Sequence, residues 1–185
     1  MWSSSLFRWV VGLNIMYVTV VSYVAPTVTK AVGQNLSVSV IAGLGVAGTA
    51  LSLGQAAVAK WVSPRVILYG GSLLGIPTGL LVLLGYGNTP LFAVLAIRAA
   101  WIMGSVVGEN WHALQNEALA KEGSLSQMQT MVGSLCAASG LVGTGLVFLL
   151  PPSLETAILL AAGLELAGVP TSWITARKVL AKLAS

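Results

Sequence analysis

Six apolar stretches of about twenty residues, each closed by proline, glycine or polar punctuation, constrain this chain more than any other feature. They run from about Phe7 to Ala25, Ser37 to Ala59, Val66 to Tyr86, Leu91 to Trp111, Met128 to Leu150 and Leu154 to Trp173. A helix needs roughly 20 apolar residues to cross the hydrocarbon core of a bilayer. The expectation is therefore an all-α integral membrane protein: six transmembrane helices forming a single domain over residues 1–185. Composition agrees, since 8% of the residues are charged, against about 25% in soluble domains. The longest polar connection is expected at His112 to Gln127, and the mixed segment Asn116 to Gln129 reads as a surface connector.

The first apolar run is long for a secretory leader and lacks an Ala-x-Ala-like cleavage site, so it reads as a retained anchor. Basic residues fix an expected orientation. With the N-terminus inside, Arg8, Lys60, Arg65, Lys121, Arg177, Lys178 and Lys182 face inward and Lys30 alone faces outward. That asymmetry follows the positive-inside rule and implies a cell (inner) membrane protein with both termini cytoplasmic. Trp2, Trp61, Trp111 and Trp173 fall near the expected boundaries, as an aromatic belt does.

Several chemistries are disfavoured. The scattered basic residues form no row able to neutralise phosphates, so no nucleic-acid partner is expected. One histidine (His112) and one cysteine (Cys136) make no metal site. No nucleophile–base pair or phosphate-cradling loop is visible, so neither an enzyme nor a cofactor is expected. His112 reads as an interfacial polar residue and Cys136 as a small packing residue. The glycines of the second, third and fifth helices read as close-packing positions, because small residues let backbones approach where lipid removes any hydrophobic drive between helices.

Three ionisable residues lie within or at the margins of the apolar runs: Arg98, Glu109 and Glu165. A charge at the bilayer centre is costly and is retained mostly in bundle interiors or wet cavities. Arg98 and Glu109 are eleven residues apart, three helical turns, and so share a face. Arg98, Glu165, Glu109 and the neighbouring Trp101 are the candidate substrate or coupling residues. The alternative is a purely structural Arg98–Glu165 ion pair.

Four segments carry a resemblance. Pro26 follows the first run, and Gly54, Lys60 and Arg65 punctuate the link between the second and third. Leu95-Ala-Ile-Arg98, followed by Gly104, stands in the fourth run, and Gly140, Gly143 and Gly145 in the fifth. Across nearly its whole length the chain resembles one half of a major facilitator superfamily transporter. Val58 replaces the aspartate of that family's inner loop, and its Gly-Pro pair on the fifth helix is missing. The resemblance implies a six-helix bundle built as a 3+3 inverted repeat. It also implies a membrane transporter module for a small solute, working as a homodimer or with a complementary membrane subunit. A non-transporting accessory subunit, or a truncated transporter, is the alternative expectation.

Overall fold

Helix starts follow local chemistry. The side chains of Ser37, Ser63, Thr89 and Ser153 each accept a hydrogen bond from the backbone N–H three residues on, satisfying donors that a helix N-terminus leaves open. Pro64 and Pro90 occupy first-turn positions, where a missing N–H costs nothing. The turn before Thr89 passes through Gly87 at φ 72°, a left-handed conformation that suits glycine.

The structure, a computed structural model, describes residues 5–123 and 125–185. Trp2 lies outside them. The element order is α1 (Ser5–Asn35), α2 (Val38–Ala59), α3 (Pro64–Leu83), α4 (Pro90–Lys121), α5 (Leu125–Leu149) and α6 (Leu154–Leu183). All six are long and apolar enough to cross a membrane, which fits a multi-pass integral membrane protein.

Three helices outrun their apolar stretches. α1 passes through Pro26 to Asn35, α4 continues to Lys121, and α6 continues to Leu183. The expected polar loop at His112 to Gln127 is therefore mostly helix, and the connector expected over Asn116 to Gln129 is divided between α4 and α5. The extensions hold because they pack. Ala31 and Val32, Ala118 and Leu119, and Ala176 and Val179 are all buried.

The core lies among α1, α3, α4 and α6 and has two parts. One, at the end where the chain begins and finishes, gathers Phe7, Val10, Leu68, Trp111, Leu119 and Val179. The other, at the far end, gathers Val24, Val28, Val94, Ile97, Ile158 and Ala161. At the terminal end the Lys178 ammonium donates to Ser5 Oγ, and Lys121 donates to the Leu183 carbonyl at 2.7 Å. At the far end Tyr23 and Thr27 of α1 donate to the carbonyls of Leu150 and Pro152.

α3 packs most extensively on α6, α1 on α5 and α6, and α4 on α3, α6 and α2. The α3–α6 and α1–α5 seams depend on missing side chains. A Cβ on Gly75 would stand 2.6 Å from the Glu165 carbonyl oxygen, and one on Gly143 would stand 2.5 Å from that of Thr19. α2 buries no residue and rests chiefly on α4, and α5 rests chiefly on α1.

Candidate functional site

Between the two core clusters α1, α4 and α6 are less buried than at either end, while α3 stays closely packed on α6, with Ser72, Thr78 and Gly79 buried. Residues 12–23 of α1, apart from those at its ends, 101–110 of α4 and 163–174 of α6 include none that is fully buried. This layer carries the polar groups one would otherwise expect at a surface: Asn14 and Tyr17 on α1, Ser105 and Asn110 on α4, and Glu165 and Thr171 on α6.

Glu165 is half-buried at the α3–α6 seam. It lies eleven residues into α6, about 17 Å along the axis at 1.5 Å per residue. Its carboxylate accepts a hydrogen bond from Thr78 Oγ1 at 2.9 Å. Thr78 also donates to the Leu74 carbonyl of its own helix at 2.8 Å, so its single proton is shared between the two acceptors. Pro77, one position before Thr78, lies inside α3 and brings no N–H to the Leu73 carbonyl. Tyr17 of α1 stands in the same layer, 50% exposed. A carboxylate and a hydroxyl thus meet at mid-height, a pair able to share a proton.

Arg98 stands on a different helix. It is half-buried on α4, and among the described residues no ion pair joins it to Glu165, whose side-chain hydrogen bond comes from Thr78. Glu109 is exposed on the same side of α4 as Arg98, near Asn110. Trp101 packs against the far-end core cluster. Gly54 lies within α2, with open space around it, Lys60 caps that helix with its ammonium 5.3 Å from the centre of the Trp61 ring, and Arg65 is exposed at the start of α3. His112 is exposed and packs edge-on to Trp111. No group of three or more potential metal-ligating side chains occurs among the described residues.

Compared with family models, curated proteins and solved structures, the chain matches none. The site therefore has to be read from its own geometry.

Two features escaped the reading of the sequence. Gln55 of α2 accepts from Asn110 Nδ2 of α4 at 2.7 Å, while its own amide nitrogen is buried with no hydrogen-bond partner. The second is a short internal echo: Gly75-Ile-Pro-Thr78 on α3 and Gly168-Val-Pro-Thr171 on α6. Both lie inside helices, and each places a proline one position before a threonine that bonds back to its own helix. The repeated Gly-x-Pro-Thr was the available signal for both Thr78 and the pairing of these helices.

Proposed function

We propose that this chain is a half-size transporter module for a small solute, paired with a second copy or a complementary subunit, with Glu165 as its proton-handling group. The observation that carries the reading is a carboxylate at mid-height, hydrogen-bonded to Thr78 at the α3–α6 seam between two core clusters. An ionisable residue so placed in a bundle is a functional group by default.

The packing pattern supports the 3+3 repeat. Exchanging α1 with α4, α2 with α5 and α3 with α6 turns α1–α5 into α4–α2 and α1–α6 into α4–α3, and returns α3–α6 and α1–α4 to themselves. α4–α6 and α4–α5 lack a developed counterpart, and α1–α5 is much more extensive than α2–α4. The Gly-x-Pro-Thr echo on α3 and α6 obeys the same exchange. The outer faces of α2 and α5 carry Val46, Leu53, Leu141 and Phe148 largely uncovered, a surface that lipid or a second subunit would cover. In this reading both termini are cytoplasmic and the basic end lies at the inner face of the cell membrane.

Proteoliposome flux with wild type, Glu165→Gln and Arg98→Ala tests the mechanism. Loss of proton-driven flux in Glu165→Gln, with the fold intact, is the expected result; equal flux in all three removes both residues from it. Native mass spectrometry of the detergent-extracted chain tests pairing, and a purely monomeric spectrum counts against self-association. A non-transporting accessory subunit is the second reading. It is favoured by the absence of any aspartate, since the five acidic residues are all glutamates; no solute-driven gain in thermal stability, in a chain that copurifies with a larger partner, would support it.

A further inference from the structure

A groove of about 290 Å³ runs between α1 and α6 near the terminal end, lined by Arg8, Trp9, Gly12, Leu13, Met16 and Thr171. From Arg8 to Met16 it spans eight residues, about 12 Å along the helix. One leaflet's share of a hydrocarbon core roughly 30 Å thick is about 15 Å, so the groove ends inside a single leaflet.

Its chemistry changes along its length. Arg8 is exposed at the mouth, one turn from Ser5, to which Lys178 is hydrogen-bonded. Arg177 and Lys182 follow on the same end of α6, and Lys121 reaches the Leu183 carbonyl beside them. No carboxylate pairs with Arg8 among the described residues. Below the mouth the walls are apolar. Leu13 and Met16 are hydrocarbon or thioether, and Gly12 leaves open space where a side chain would stand. The one hydroxyl, on Thr171, already donates to the carbonyls of Ala167 and Gly168.

We propose that this groove binds an anionic phospholipid of the leaflet in which the chain's ends lie, its headgroup on Arg8 and Lys178 and one acyl chain against Gly12, Leu13 and Met16. A cationic mouth above an apolar slot of sub-leaflet depth matches both halves of such a molecule. A second copy of the chain fits poorly. A two-fold contact brings the same patch of both subunits together, so Arg8 and Lys178 would face their own counterparts. An anionic headgroup instead gains attraction from each basic residue at its level.

The test is native mass spectrometry of the full chain in detergent, titrated with phosphatidylglycerol, with phosphatidylcholine of the same acyl chains, and with glycerol phosphate. Two cations at the headgroup give an expected preference of about thirtyfold for phosphatidylglycerol over phosphatidylcholine. Arg8→Gln should lower that preference about fivefold. Gly12→Leu should weaken both lipids alike by filling the slot; its Cβ meets nothing within 4 Å, and an unchanged thermal unfolding transition confirms the fold. Lys30→Gln, a charge removed at the far end, should change nothing. Glycerol phosphate should neither bind nor compete. Equal binding of the two lipids by wild type overturns the proposal. So does unchanged lipid binding in Gly12→Leu, competition by glycerol phosphate, or a fall in dimer rather than lipid adduct on filling the slot.

Discussion

Gly75→Ala adds one methyl group at the tightest point of the α3–α6 seam. The new Cβ would lie 2.6 Å from the Glu165 carbonyl oxygen and 2.8 Å from Val169 Cγ2, whereas ordinary contact begins at 3.4 Å. Opening 2.6 to 3.4 Å parts the helices by about 0.8 Å. A gap of that size forfeits roughly a quarter to a half of each atom-pair attraction, itself about 0.1–0.2 kcal/mol. Over some thirty pairs, on the order of a small helix seam, the loss is about 1.5 kcal/mol. The same shift would stretch the 2.9 Å Thr78–Glu165 hydrogen bond beyond its working range, a further loss of about 1 kcal/mol. Alanine's better helix propensity returns up to about 1 kcal/mol. The expected net effect is destabilisation by about 1–3 kcal/mol, the usual size for overpacking. Reversible unfolding in mixed micelles, followed by tryptophan fluorescence, measures it. Gly70→Ala is the control: it lies on the same helix with nothing within 4 Å of its Cβ, and is expected to match or slightly exceed wild-type stability. Equal stability of the two variants would refute the seam argument.

Other outcomes follow from the same contacts. Gly143→Val should loosen α5 from α1, because its Cβ meets the Thr19 carbonyl and Ser22; faster maleimide labelling of the single half-buried Cys136 is the readout. Replacing Gln55 and Asn110 by leucine, singly and together, should give a coupling of about 0.6 kcal/mol, the average for interhelical polar pairs in membranes, and zero coupling would mean that α2 is held to α4 by packing alone. Thr78→Val keeps the side-chain shape but removes the donor to Glu165; it should slow proton-driven flux while costing about 1–2 kcal/mol of stability, and unaltered flux would leave Thr78 a purely structural partner. Reporter tags fused at the two ends should report the same side of the membrane, and opposite sides would contradict the helix count.

The spans themselves were legible because twenty-residue apolar runs have few alternatives in a chain so poor in charge. The helix ends were less so. Pro26 looks like a stop, since proline removes a donor and crowds the preceding turn, yet Val24, Val28 and Val32 on either side of it pack into the far-end core. Likewise, the polar content of residues 112–121 hid the buried face formed by Gln115, Ala118 and Leu119. Glu165 stood out as a charge in an oily run; its partner did not. Which of many hydroxyls meets it depends on how α3 crosses α6, and that is set by glycine contacts between residues some ninety positions apart. For Arg98, periodicity gave the face it shares with Glu109, while its separation from Glu165 depends on the placement of whole helices.

The lysine tie between the first turn of α1 and the last stretch of α6 sets a rule of parity. Because α1 starts and α6 ends at the same end of the bundle, joining a second copy of this six-helix unit after the first would yield two units of identical orientation. A linker crawling along that side would suffice, and no additional crossing would have to be invented. Fusing two copies in this way would fix their stoichiometry while leaving every internal helix contact untouched.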